Sequence, residues 1–354
     1  MKRLLSLMTV CALLCSPAFG QEAQSVNNLP ELSIITRVDA YPVSPYVYTL
    51  LEGSLGEHLS YSVCNLWAND DPRSLYANTL RADELDWCLW GWLSLDLGNW
   101  HIIAGKDYIR TGGFETDAYD YDQYWQLCSN FWNNAQVYQY GGGVKYVLPS
   151  ESDEFMVQVL SSPFSGKPFE DGLLSYNLEW VGEHGPWSSI WSVSGIDYDY
   201  SAPYSWGDKL WLLSAGNQFD ITDIFSLGLD YIYRIASPFA NAPGAGDKGP
   251  FYPANSGHNV VGRLNWRPLD WMEIGARGVF ETSQIYFHVA EDLFQIPDQY
   301  LSGGLFLNFY PLPEKDDLRI HALAGMNNLD GFFWGGGITY NFNLTQTLLN
   351  RRAK

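Results

Sequence analysis

Beyond residue 20 the chain has no run of about 18 consecutive apolar residues, which excludes a transmembrane helix. Basic residues are also scarce: 20 Lys and Arg stand against 40 Asp and Glu, a formal charge of −20. Neutralising phosphates takes a basic surface, so this balance argues against a nucleic-acid partner. Cysteine is sparse too, five in all, and only Cys64, Cys88 and Cys128 lie past the first 20 residues. Three is an odd number, so at least one thiol stays outside any bridge formed in an oxidising compartment. Six histidines, His58, His101, His184, His258, His288 and His321, are scattered with no Ser or Asp spacing that singles out a base for a nucleophile. No cofactor or metal is implied.

The chain opens with Lys2 and Arg3, an apolar run from Leu4 to Leu14, and the small-residue site Ala18, Phe19, Gly20 before Gln21. This reads as a secretory signal peptide over 1–20. Leu14 is too large to precede a lipoprotein cleavage site, so Cys15 is not a lipid anchor. Removing Lys2 and Arg3 with the leader takes the formal charge from −20 to −22.

What the chain has instead is alternation. Phe225, Leu227, Leu229, Tyr231 and Tyr233 share one face of an extended strand, with Ser226, Gly228, Asp230 and Arg234 on the other. Met272, Ile274, Ala276, Gly278 and Phe280 are set in the same way against Glu273, Gly275, Arg277 and Glu281. Lipid can meet one wall and water the other. Aromatics make up 16% of the chain, with 33 glycines, and the mean hydropathy is slightly negative because the wet half dilutes the lipid-facing half in any window.

Sixteen such stretches are expected, from 31–39 to 332–343, including 271–282 and 298–310. Connections should alternate as outer-membrane barrels require, short at the periplasmic end and long outside. Short ones are expected at Asp96 to Asn99, Glu183 to Pro186, Asp220 to Asp223 and Pro268 to Asp270, and long ones near 68–85, 108–135, 199–207, 236–256 and 283–297. Trp180 and Trp187, Phe219 and Phe225, Trp266 and Trp271, and Tyr146 and Phe155 flank short turns, as an interfacial girdle would. A soluble sandwich also alternates, but its inner face would carry no charge pairs. The fold class is therefore all-β: a single transmembrane antiparallel β-barrel over 21–344, in the outer membrane, with a periplasmic tail over 345–354. Ile338, Tyr340 and Phe342 end the last strand, and Thr345 to Lys354 follow where most such barrels stop on the aromatic.

Residues 107–135 form the third external segment, and loops of this length without structure of their own are often functional. Gly105-Lys106, Gly112-Gly113-Phe114-Glu115, and Asn133-Asn134-Ala135-Gln136 leading to Tyr140-Gly141 resemble the corresponding stretch of Bacteroidota-type porins related to the phosphate-selective porin O and P group. The likeness is sharp over about 100–147. It implies a diffusion porin, a homotrimer, whose third loop folds into the lumen and forms the constriction. Outer-membrane lipids and lipopolysaccharide would surround the barrel, and small hydrophilic solutes or ions would pass through it. Phosphate selectivity does not carry over. A phosphate path wants a ladder of Arg and Lys, whereas this loop holds Glu115, Asp117, Asp120 and Asp122 against only Lys106 and Arg110.

With the less apolar face inward, Lys145, Arg234, Arg263, Arg277 and Arg319 turn to the lumen with Glu179, Asp230, Glu273 and Glu281. An acidic loop opposite a basic wall would set a transverse field; the same residues would equally serve as ordinary lumen ion pairs. Asp120 and Asp122 also read as a solvated surface or a weak calcium site. Tyr119, Tyr121, Tyr124, Trp125, Phe131 and Trp132 either stack on sugars or pack the loop on the wall. Cys64 and Cys88 are both expected inward, where they would bridge if directly opposite; a register shift of one would turn one of them to lipid. Beside a passive channel, two other classes stay open: a non-conducting barrel acting as adhesin or complex component, and an outer-membrane enzyme on a smaller barrel.

Overall fold

The computed structural model describes residues 30–40, 43–68, 88–117, 127–129, 131, 138–163, 165, 168–169, 172–199, 208–236, 256–289, 292–312, 318–329 and 331–345. Sixteen strands follow one another: β1 (Glu31–Ala40), β2 (Val43–Ser54), β3 (Leu59–Ala68), β4 (Cys88–Leu97), β5 (Trp100–Tyr108), β6 (Tyr138–Val147), β7 (Asp153–Ser161) and β8 (Leu174–His184) in the first half. The second half holds β9 (Trp187–Asp199), β10 (Asp208–Thr222), β11 (Phe225–Ile235), β12 (Gly257–Leu269), β13 (Met272–Val289), β14 (Asp292–Phe309), β15 (Leu318–Asn327) and β16 (Gly331–Asn343). A helical turn, α1 (Phe114–Asp117), follows β5.

Each strand pairs antiparallel with its sequence neighbours, and β1 closes on β16 from Ser33↔Asn343 to Asp39↔Gly337. Closure leaves no sheet edge, the condition for a β-structure in hydrocarbon, where no water can satisfy a free backbone group. Alternation decides the faces. In β4 the outward Leu93, Leu95 and Leu97 are exposed while Ser94 between them is buried and Asp96 is half-buried inside. In β11 Leu227, Leu229 and Tyr231 are exposed against buried Asp230, Ile232 and Arg234. An apolar exterior around a polar, charged interior is the inverse of a soluble protein and is the arrangement of a barrel crossing a membrane in many passes.

Aromatic rings crowd the end where the short turns lie. Trp100 is 4.5 Å from Tyr146, Trp180 is 5.1 Å from Trp191 and 6.2 Å from Trp187, and Trp271 is 5.6 Å from Phe309, centroid to centroid. Phe155, Phe219 and Trp266 are exposed on the same outer face.

Two expectations need correction. The long loop at 283–297 is strand: β13 and β14 continue pairing from Thr282↔Gln299 out to Val289↔Asp292. Alternating β-formers such as Ile285-Tyr286-Phe287 facing Phe294, Gln295 and Ile296 extend the hairpin where length alone suggested a loop. The alternation of connection length also breaks, because β1 and β2 are separated only by 41–42, β13 and β14 by 290–291, and β15 and β16 by 328–330.

Cys64 and Cys88 are not bridged; both thiols are free, as is Cys128. The register shifts between Cys64 and Asn65, so Cys88 stands opposite Asn65 and Trp90 stands opposite Cys64. A bulge of this kind turns one side chain to the other face. Cys64 lines the lumen, while the Cys88 sulfur lies 3.3 Å from where a Cβ on Gly91 would point, and it donates to the Trp90 carbonyl at 3.1 Å.

Candidate functional site

The segment after β5 turns into the barrel and lies against the inner wall made by β9 to β14. Its entry is built on glycine. Gly112 and Gly113 have φ of 71° and 80°, a left-handed region open to glycine, and they place α1 against the sheet. A Cβ on Gly112 would fall 2.4 Å from the Ser192 hydroxyl, and one on Gly216 of β10 would fall 2.5 Å from the Gly113 Cα. The wall has no side chain at Gly216 because the loop backbone occupies that space.

Five charged groups on the wall then hold the segment. Asp230 on β11 accepts the Phe114 amide at 3.0 Å and the Glu115 amide at 2.9 Å, capping α1 from a different element. Arg263 of β12 lies 3.8 Å from Asp230, with its guanidinium 5.2 Å from the Phe114 ring. Glu115 points into β13, where Arg277 donates to it at 2.6 Å; the Ser129 amide and hydroxyl donate at 2.7 and 2.8 Å. Glu281 accepts the Phe131 amide at 3.0 Å and is paired with Arg234 at 3.1 Å. Arg234 also donates to the Thr282 carbonyl and the Ser283 hydroxyl, both at 2.9 Å. Arg234 and Glu281 are each about 1% exposed.

An apolar cluster lies beside these pairs: Ile109 and Phe131 from the segment meet Leu160, Ile196, Leu210, Leu212, Ile232 and Ala236 from the wall. Leu127 is wholly buried, and a Cβ on Gly304 of β14 would fall 2.8 Å from it. The Cys128 thiol, buried beside it, is pushed up to about 12 by desolvation.

On the other side of the lumen the described residues leave two cavities. One cavity of about 430 Å³ is bounded by Tyr48, Glu52, Ser62, Trp90 and Trp92, and a second of about 560 Å³ by Asp96, His101, Lys145, Glu154 and Glu179. They share Trp92, Asp107, Tyr108 and Arg110. Arg110 sits at this junction, 3.2 Å from Asp107 and 3.6 Å from Glu179, with its guanidinium 3.8 Å from the Tyr108 ring centre. Asp107 also accepts from Gln158 at 2.9 Å. Toward the turn end Lys145 pairs with Glu154 at 3.2 Å, and His101 lies 2.6 Å from Asp96.

The nine wall residues read from the sequence, Lys145, Glu179, Asp230, Arg234, Arg263, Glu273, Arg277, Glu281 and Arg319, all fall on inward positions of their strands. They do not form one group. Asp230, Arg234, Arg263, Arg277 and Glu281 are engaged by the inserted segment, whereas Lys145 and Glu179 line the open cavity. Glu273 accepts from Asn308 at 3.2 Å and from Tyr310 at 2.8 Å near the turn end. Arg319 stands opposite Thr339 of β16.

Of the loop residues, Arg110 reaches the passage and Glu115 is buried under Arg277. The contact is direct, not a field across a gap. Lys106 is not in the loop: it is in β5, on the side shared by Ala104 and Tyr140, and donates to the Cys88 carbonyl at 2.6 Å. Phe131 packs on the wall in the apolar cluster. Asp117 closes α1, but its side chain, like Asp120, Asp122, Tyr119, Tyr121, Tyr124, Trp125 and Trp132, lies outside the described residues. No group of three His, Cys, Asp or Glu side chains suited to a metal occurs among the described residues. Sequence reading passed over Asp107, Gln158, Asp96 and His101, although strand parity places Asp96 and His101 inward and opposite each other across one tight turn.

No protein-family model matches the chain, and no curated protein sequence matches it. Solved structures do. A loop-deletion mutant of OmpT, an outer membrane protein of Vibrio cholerae, is similar at a TM-score of 0.55 and 10% identity, over 88% of this chain and 97% of that one. A mutant of the Rh. blastica porin is similar at a TM-score of 0.54 and 7% identity, over 89% and 99%. A triple mutant of the Rhodopseudomonas blastica porin gives 0.53 at 8% identity, over 89% and 99%. At such identities the likeness is one of fold: the closed antiparallel barrel of outer-membrane proteins.

Proposed function

We propose that the protein is a porin of the outer membrane, a passive diffusion channel for small hydrophilic solutes and ions that the inserted segment narrows from one side. The observation that carries this reading is the pair of cavities left open beside the strapped segment and lined by ionisable groups. The porins among its structural neighbours share that barrel. A solute moves down its gradient, so no catalytic residue or cofactor is needed. The wall supplies water-compatible groups, and the segment sets the bore.

Charge sets the preference. Glu52, Asp96, Asp107, Glu154, Glu179 and Glu183 border the passage against Arg110 and Lys145, with His101 between. An acid-rich bore raises the local concentration of cations and repels anions, so this reading departs from the phosphate-selective porins that the third segment resembles. It includes a homotrimer, a leader removed before Gln21, a periplasmic tail over 345–354, and lipids and lipopolysaccharide around the aromatic girdle.

Single-channel recording of the folded protein in planar bilayers tests it. Stable conductance steps are expected, with a reversal potential under a salt gradient of the sign for cation preference. A silent bilayer from folded protein rejects the channel; anion preference rejects the charge assignment.

A further inference from the structure

The cavity of about 430 Å³ between β1 and β4 differs from its acidic neighbour in being walled largely by rings and aliphatic side chains, Tyr48, Leu50, Trp90 and Trp92 among them. Two carboxylates line it: Asp107, shared with the second cavity and paired with Arg110, and Glu52. Glu52 accepts the Ser62 hydroxyl at 3.0 Å and has no ion-pair partner among the described residues. That hydroxyl in turn accepts the Trp90 indole N–H at 2.8 Å, so the ring edge is tied back to the wall. In the register Glu52 stands between Ser62 and a second acid, Glu31, which leaves its charge uncompensated by its strand neighbours. At the far end Arg110 is already paired with Asp107 and Glu179.

From this geometry we propose that the aromatic half of the passage is a binding subsite for small organic cations, an ammonium group carried on an apolar or aryl body. A cation gains from both features present, the negative faces of aromatic rings and a carboxylate that has no ion-pair partner among the described residues. An anion is repelled by Glu52. A sugar would need several free donors and acceptors set around its ring, whereas the Ser62 hydroxyl, the Asp107 carboxylate and the Arg110 guanidinium are already committed to other partners. The volume suits a body of one or two rings, at the small end of ligand pockets. The subsite rests on the diffusion-channel reading: it would hold such a solute briefly beside the path of the ions.

Benzyltrimethylammonium chloride is the probe. Titration calorimetry on detergent-folded protein should give saturable binding, and in bilayers the same salt should interrupt the ionic current. Glu52→Gln should weaken both by about tenfold or more, Trp92→Leu should act in the same direction, and tetramethylammonium, which lacks the ring, should bind about tenfold more weakly. The strand circular-dichroism signal of each variant confirms folding. A titration with no saturable heat, binding unchanged in folded Glu52→Gln and Trp92→Leu, or preference for maltose over the ammonium probe overturns the subsite. Saturable, Glu52-dependent binding in a barrel that conducts no current supports the subsite and rejects the channel.

Discussion

The two sides of the lumen use the same residue types for different ends. Under the inserted segment, on β11 to β13, Arg234, Arg277, Asp230 and Glu281 are almost wholly buried and each meets a partner of opposite charge or a backbone group. On the facing side Lys145, Glu154, Asp96 and His101 keep between 24% and 38% of their side-chain surface exposed. Burial makes the first set structural, since a charge removed from water must be matched locally and its loss leaves a partner stranded. Exposure makes the second set available to ions, and its pairs are worth little to stability. Charge on an inward strand position therefore says nothing by itself about selectivity; what covers that position decides.

The comparison breaks most visibly at Arg277. Arg277→Ala leaves Glu115 buried with only the Ser129 donors, and we expect a loss of about 3–5 kcal/mol, the cost of an uncompensated buried charge. With its clamp gone the segment should leave the wall, so conductance should rise and become noisy. Urea unfolding and single-channel traces read the two effects. If Arg277→Ala behaves as wild type in both, the strapped wall is not a strap. Gly112→Ala attacks the same wall from the loop side, where φ of 71° and a Ser192 hydroxyl 2.4 Å from the new Cβ oppose any side chain. The expected cost is about 1–3 kcal/mol from backbone strain, with a smaller change in conductance.

How legible this was from the sequence follows the same division. Alternation gave all sixteen strands, because a period of two is written directly into side-chain chemistry. It misjudged 283–297, where a protruding hairpin keeps the strand pattern beyond the barrel, and it misplaced Cys88, where one bulge reverses parity. The site was harder. That Arg277 meets Glu115 across 162 positions, or that Asp230 caps α1 from β11, depends on how the segment between β5 and β6 folds back, and no local pattern encodes that. Gly112-Gly113 was the available signal: paired glycines ahead of a Phe-Glu turn mark a tight entry, and Gly216 on the wall is the matching gap.

On the open side the effects should move permeation more than stability. Arg110→Gln removes the cation where the two cavities meet and frees Asp107 and Glu179 to face the path. Cation preference in the reversal potential should increase, and because Asp107 and Glu179 are each only 6% exposed, the loss of their partner should also cost about 1–3 kcal/mol. A fall in cation preference would place the selective step away from this junction.

Lys145→Gln is the mildest change and the sharpest test of the contrast. Lys145 is 30% exposed and its partner Glu154 38%, at 3.2 Å, so solvent screens the pair and its loss should cost no more than about 0.5 kcal/mol. Removing the amine nevertheless deletes one of the two full positive charges that the described residues place on an acid-rich passage, so the reversal potential should shift toward cations while the urea midpoint stays put. Raising salt from about 0.1 to 1 M shortens the Debye length from about 10 to 3 Å and should erase the difference between Lys145→Gln and wild type. The buried Arg277–Glu115 contact is shielded from mobile ions by the protein around it, so the Arg277→Ala defect should survive the same salt. If both defects respond to salt alike, the two sides of the lumen share one electrostatic environment, and burial is not what separates them.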